Sequence, residues 1–227
     1  MDQVLTRRST RLNLGAAVAF VLGGSLFALG AALAQLDVVS LPVVNVTYLV
    51  GGCFFTLGGY VSILLADDDT ATHTDERRRR WGLRQRRRSW LSAFVLFVGT
   101  LFFAVSLVAA FAAGLTPRQS DGWIWLPDMT GCVCFLASGH LAMLDVGEGH
   151  VRIQPHLIGW WVVAVNQLGS VLFFLAGIAA FTRPATSSAI NTGLVNWGTF
   201  AGAVCFAVGG FIQAFDTPTT TRTVVQP

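Results

Sequence analysis

Six long apolar runs constrain this chain more than any other feature, at about 12–34, 43–65, 90–114, 123–144, 157–181 and 193–215. Each exceeds the ~20 residues that carry an α-helix across a hydrocarbon core of ~30 Å. Backbone polar groups in that medium must be satisfied within the protein, which leaves helices or closed barrels. A barrel would show alternating segments of ~10 residues instead. The runs therefore predict an all-α integral membrane protein with six transmembrane helices. Composition agrees, because only 12% of the 227 residues are charged, against about 25% in soluble domains.

The placement of arginine orients the helices. All fifteen basic residues are arginine, a bias that suggests a GC-rich bacterial genome. With the N-terminus inside, the cytoplasmic segments hold Arg7, Arg8, Arg11, the eight arginines 77–88, Arg152 and Arg222, and the outer loops hold only Arg118 and Arg183. This positive-inside bias puts both termini in the cytoplasm of the cell inner (plasma) membrane. Trp90, Trp160 and Trp161 fall at inner boundaries and Trp123, Trp125 and Trp197 at outer ones, where indole rings prefer the headgroup level. The start, "RRSTRLNLG" followed by an apolar run and "ALAQ", imitates a secretory signal cleaved after Ala34. Its apolar stretch exceeds the usual 7–15 residues of a signal core, so it is expected to remain as the first helix. Asn45-Val46-Thr47 matches a glycosylation sequon and is read as chance.

The even-numbered helices align without gaps: "GGCFFTLGGY" from Gly51, "GCVCFLASGH" from Gly131 and "GAVCFAVGGF" from Gly202. The odd-numbered ones share "GGSLF" at Gly23, "GTLFF" at Gly99 and "GSVLF" at Gly169. The chain thus reads as three tandem hairpin repeats, 12–65, 90–144 and 157–215. Around them lie a cytoplasmic N-terminus (1–11), an acidic-then-basic loop (66–89), a short loop (145–156) and a tail (216–227). Small residues one turn apart let helix backbones approach closely, and van der Waals contact then drives association. The expected packing residues are Gly23 and Phe27 with Gly51, Phe55 and Gly58 in the first hairpin. Gly99 and Phe103 with Gly131, Phe135 and Gly139 serve the second, and Gly169 and Phe173 with Gly202, Phe206 and Gly209 the third.

The third hairpin, about residues 160–212, resembles the YrhK-like membrane domain. That two-helix module carries N-x-x-G-x-x-x-F and then G-x-x-x-F-x-x-G, matched by Asn166, Gly169 and Phe173 and by Gly202, Phe206 and Gly209. The first two hairpins depart from it, with Phe20 and Leu96 where the asparagine stands. The resemblance implies the hairpin architecture and brings no chemistry to carry over.

Candidate polar sites are few. Cys132 and Cys134 suggest a soft-metal or redox site, but Cys134 aligns with Cys205 and Phe54, and Cys53 with Val133, as apolar filler would. His140 aligns with Tyr60 and Phe211, which reads as an interfacial anchor or packing residue, with a functional role as the sharper option for an ionisable group in the membrane. Asp145, Glu148, His150 and His156 crowd one inner loop and read as a solvated turn, with a metal or proton relay as the sharper option. Asp128 follows Pro127 at the expected start of the fourth helix, where a proline and a carboxylate suit the first turn. Asn166 is expected to form an interhelical hydrogen bond, and Gln167 and Asp216 are the other polar residues to test. Arg77, Arg78, Arg79, Arg80, Arg84, Arg86, Arg87 and Arg88 set topology and attract anionic lipid headgroups at ~1 kcal/mol each. No cofactor and no nucleic-acid partner is expected. The functional expectation is a non-enzymatic structural or accessory subunit of a membrane assembly, with a second copy or other membrane subunits as partners. A small transporter or channel is the alternative, and a metal- or haem-dependent enzyme ranks third.

Overall fold

A computed structural model describes residues 2–68 and 76–216, with side chains over 7–67 and 88–216. Its elements are α1 (Asp2–Leu36), α2 (Leu41–Asp68), α3 (Glu76–Ala109), α4 (Pro117–Ser120), α5 (Leu126–Val146), α6 (Ile158–Ala179) and α7 (Thr192–Gln213). A π-helical turn (Asp121–Trp125) joins α4 to α5, and a two-residue hairpin of β1 (Thr182–Arg183) and β2 (Ser188–Ala189) lies between α6 and α7. Six stretches are long and apolar enough to cross a membrane: Arg7–Leu36, Leu41–Asp67, Arg88–Ala109, Pro117–Val146, Ile158–Ala179 and Thr192–Gln213.

Helix ends follow their local chemistry. Thr116 caps α4 in a reciprocal box, accepting from the Gln119 N–H at 3.3 Å while its own N–H donates to the Gln119 side chain at 3.0 Å. The fourth span therefore begins at Pro117, before the expected residue 123. Pro127 is the second residue of α5, in the first turn that the sequence suggested for it, although helical backbone also precedes it. Having no N–H and crowding the preceding carbonyls, a proline there needs a wider turn. The π turn supplies it, with the Leu126 N–H donating to the Asp121 carbonyl. At the start of α7 the Asn191 side chain accepts from the Leu194 N–H at 3.0 Å, an ordinary N-cap.

Each long helix packs on the next, and α7 returns to α1, so α1, α2, α3, α5, α6 and α7 form a closed ring. Its centre is aromatic. Phe27, Phe103 and Phe173 project from the odd-numbered spans and Phe55, Phe135 and Phe206 from the even-numbered ones, none more than 8% exposed. The first three rings form a triangle with centroids 6.5, 6.2 and 6.1 Å apart. The second three form another, at 6.5, 5.4 and 5.8 Å. Rungs of 5.4, 5.0 and 5.3 Å link the triangles inside each helix pair: Phe27–Phe55, Phe103–Phe135 and Phe173–Phe206. These separations suit the stacked, tilted and edge-on contacts the rings make, worth ~0.5–1.5 kcal/mol beyond buried area.

Glycine makes room for the rings. A Cβ on Gly23 would lie 2.7 Å from the Phe55 ring, and one on Gly51 would lie 2.8 Å from the Phe27 ring. Each phenylalanine thus occupies the notch its partner helix opens. Gly99 and Gly131 receive Phe135 and Phe103 in the same way, and Gly169 and Gly202 receive Phe206 and Phe173. The same even-numbered helices use the next glycine to meet the following pair. Gly59 abuts Phe97, Gly139 abuts Gln167, and Gly210 abuts Val21, positions that are equivalent in the sequence alignment.

Phe135 touches three other rings, so Phe135→Ala should cost ~3–5 kcal/mol. Val133→Ala, on the exposed side of the same helix, should cost little. Thermal unfolding of the purified protein in detergent checks the difference.

Candidate functional site

Polar side chains inside the ring fall into three layers, and each is built differently. At the end of the ring where α1 begins and α7 finishes, these two helices are laced together. Asn13 Nδ2 donates to the carbonyls of Gln213 (3.0 Å) and Asp216 (2.9 Å), and Gln213 Nε2 donates back to Asn13 Oδ1 at 3.0 Å. The Gln213 carbonyl, the last of α7, also accepts from the Asp216 N–H at 3.0 Å, and the Asp216 carbonyl lies just beyond the helix. The Asp216 carboxylate reaches Gly159 at the start of α6, since a Cβ there would lie 3.2 Å from Oδ2. Partial burial pushes its pKa above the ordinary carboxylate range.

A second layer, between that end and the phenylalanine core, holds Asn166 and Gln167. Asn166 Oδ1 presses on Gly209, and Gln167 Oε1 on Gly139. Both oxygens are buried without a hydrogen-bond partner. Gln167 Nε2 reaches the Leu136 carbonyl at 3.5 Å, the outer limit of a useful bond. The interhelical bond expected of Asn166 is therefore not made by its oxygen, because the facing residue is a glycine and offers no donor side chain. On α3 and α5 the corresponding polar contact is a serine pair: Ser92 and Ser138 each donate to the other's carbonyl, at 2.9 and 2.8 Å.

Towards the opposite end, Asn196 Nδ2 donates to Gln35 Oε1 at 3.1 Å, joining α7 to α1. Trp125, at the end of the π turn, donates its indole N–H to the Gly177 carbonyl at 2.8 Å. Asp121 accepts from the Thr182 N–H at 3.0 Å. Asp128 points into the seam between α5 and α6, where a Cβ on Gly177 would meet Met129, Asp128 and Cys132. It lies in the first turn of α5, where the sequence placed it, and its carboxylate also faces this seam. The Tyr48 hydroxyl lies within electrostatic range of this carboxylate, and the Tyr48 ring rests on Phe27 at 5.3 Å.

The other sequence candidates do not converge. His140 is exposed on the outer face of the ring, as are Tyr60 and Phe211 at the aligned positions. Cys53 is exposed, Cys132 buried, and Cys134 and Cys205 half-buried beside the Gly99 and Gly169 notches, with all four thiols free. Asp145 ends α5, Glu148 takes the left-handed φ of +55° that stops the helix, and His150 and His156 are exposed on the loop beyond. Among the described residues no three His, Cys, Asp or Glu side chains gather closely enough to hold a metal ion. Arg88 lies against Gly149, whereas the side chains of Arg77, Arg78, Arg79, Arg80, Arg84, Arg86 and Arg87 lie outside the described residues. The space among the central rings, beside Thr100, is a void of about 10 Å³, barely the volume of one water. Sequence reasoning missed Asn13, Gln213, Gln35, Asn196 and the serine pair. All sit on small-residue helix faces, where single polar letters gave no pattern.

No family model matches the chain, and no curated protein or solved structure matches it significantly.

Two outcomes follow for these polar layers. Asn166→Phe gives α6 the residue that α1 carries at the aligned position, where Phe20 covers Gly58. Leaving a buried oxygen unpaired costs ~1–3 kcal/mol, so the melting temperature should hold or rise, and a clear fall would contradict this account. Asp216 has a raised folded pKa, so its contribution is present at acid pH and lost as pH rises through that value. Melting temperature should therefore fall with pH above the ordinary aspartate range, and Asp216→Asn should flatten that slope.

Proposed function

We propose that the chain is three copies of one helical hairpin closed about a phenylalanine core. In this reading it lies in a bacterial inner membrane with both termini in the cytoplasm and serves as a non-catalytic structural or accessory subunit of a membrane assembly. One observation carries the reading. The aligned phenylalanines 27, 55, 103, 135, 173 and 206 all meet at the ring's centre, so the axis is packed solid where a pore or substrate site would run. Transporter sites are generally formed by discontinuous helices with polar groups at the midplane, and here that level holds aromatic rings. The orientation rests on the arginine distribution. Anionic headgroups at Arg77–Arg88 are the lipid partner this implies, on a helix whose apolar span begins at Arg88. The likeness of the third hairpin to the YrhK-like module agrees with the architecture and adds no activity.

A second reading, a small transporter, draws on Asp128, Asn166 and Gln167 at the α5–α6 and α6–α7 contacts. The two are separable. Cross-linking in native membranes, followed by purification in mild detergent and mass spectrometry, should yield a discrete assembly larger than the monomer. That assembly should be unaffected by Asp128→Asn. A monomer that moves ions or solutes in liposomes, and stops doing so in Asp128→Asn, would favour transport and overturn the scaffold reading.

A further inference from the structure

The short loop between α5 and α6 departs from what a solvated turn would show. Ile153 is 82% exposed and Val151 58% exposed, two branched apolar side chains projecting from a segment expected to be polar. They alternate with His150, Arg152 and the nearby His156, all exposed. The loop joins two spans that end at Val146 and resume at Ile158, so it lies at the membrane surface.

It is also held in shape. Trp160 donates its indole N–H to the Arg152 carbonyl at 3.0 Å, and Trp161 donates to the Pro155 carbonyl at 3.0 Å. The two indoles meet edge to face at 5.0 Å. Such rings favour the headgroup level, and here they clamp the loop backbone at that depth. Gly149 has a φ of +102°, a conformation that spares it a side chain. The Arg88 guanidinium fits against that bare position, 3.0 Å from where a Cβ would be. This contact places the Arg88 side chain of α3 beside the loop. Glu148 is the exposed acid nearby, and Asp145 is half-buried at the end of α5.

We infer that residues 150–157 form a membrane-lying loop that docks on anionic phospholipid of the inner leaflet, with Val151 and Ile153 entering the headgroup–acyl boundary and Arg152 pairing with lipid phosphate. Apolar side chains interleaved with cations fit an anionic membrane surface, where buried apolar area and electrostatic attraction add. Each basic residue near such a surface contributes on the scale of ~1 kcal/mol within a screening length. A soluble acidic protein would match the charge but would leave two branched side chains to find separate pockets. This inference rests on the cytoplasmic orientation proposed above, and the test separates the two.

A nitroxide is placed by Ile153→Cys in full-length protein with Cys53→Val and the other native cysteines replaced by alanine. It is then read in vesicles of phosphatidylcholine with or without phosphatidylglycerol. Collisions with oxygen should exceed those with a water-soluble nickel relaxer when phosphatidylglycerol is present. Arg152→Gln should weaken that preference at least twofold, and Arg183→Gln on the other side should leave it unchanged. A label on the inner side but water-exposed in both lipids, or insensitive to Arg152→Gln, overturns the inference alone. A label reduced by impermeant ascorbate from the outer side overturns the orientation, and the inner-leaflet assignment with it. Substituting Arg77–Arg80 by glutamine should leave the label's depth unchanged, whereas its release into water would mean the loop has no affinity of its own.

Discussion

The reciprocal seating of a phenylalanine in a glycine notch is the contact on which the rest depends. In lipid, helices gain nothing from hiding apolar surface, since the surroundings are equally apolar. Close van der Waals fit must then hold them, and fit requires a projection and a recess of matching size. Gly23 with Phe55 and Gly51 with Phe27 provide two such fits between one pair of helices, and the other two pairs repeat them. Because the rings point inward, the same side chains that join each pair also join the pairs to one another. One residue type per helix thus sets both levels of packing.

The polar layers make the three pairs unequal. Where the first has Phe20 covering Gly58, the third has Asn166 against Gly209, and the second has paired serines. Hydrogen bonds at both ends, Asn13–Gln213 and Gln35–Asn196, join the last helix to the first. These bonds close the ring at the one contact that chain connectivity does not enforce. That placement gives α1 and α7 a defined register, at about 0.6 kcal/mol per membrane hydrogen bond.

Much of this was legible in the sequence, for physical reasons. Span length follows from bilayer thickness, and the aligned glycines and phenylalanines identified the packing faces because close approach admits few residue types. Pro127 marks the first turn of α5 as the sequence suggested, but α4 and the π turn before it carry the fourth span back to Pro117, beyond the apolar run. Asp128 keeps its place in that first turn and also faces the α5–α6 seam, a contact with no local sequence pattern. Asn13 and Gln213 were invisible because a polar pair far apart in sequence leaves no local pattern. The loop between α5 and α6 was read by charge alone, and the exposure of Val151 and Ile153 gave it a different character.

The central claim is that a glycine notch and a facing ring form one unit, used equally in three pairs. A double-mutant cycle tests it directly: Gly51→Ala, Gly131→Ala and Gly202→Ala, each alone and with Phe27→Leu, Phe103→Leu or Phe173→Leu respectively, scored by melting temperature in detergent. The account predicts a loss for every alanine, of comparable size, partly recovered by the smaller facing side chain. A loss confined to one pair, or losses that simply add, would contradict it.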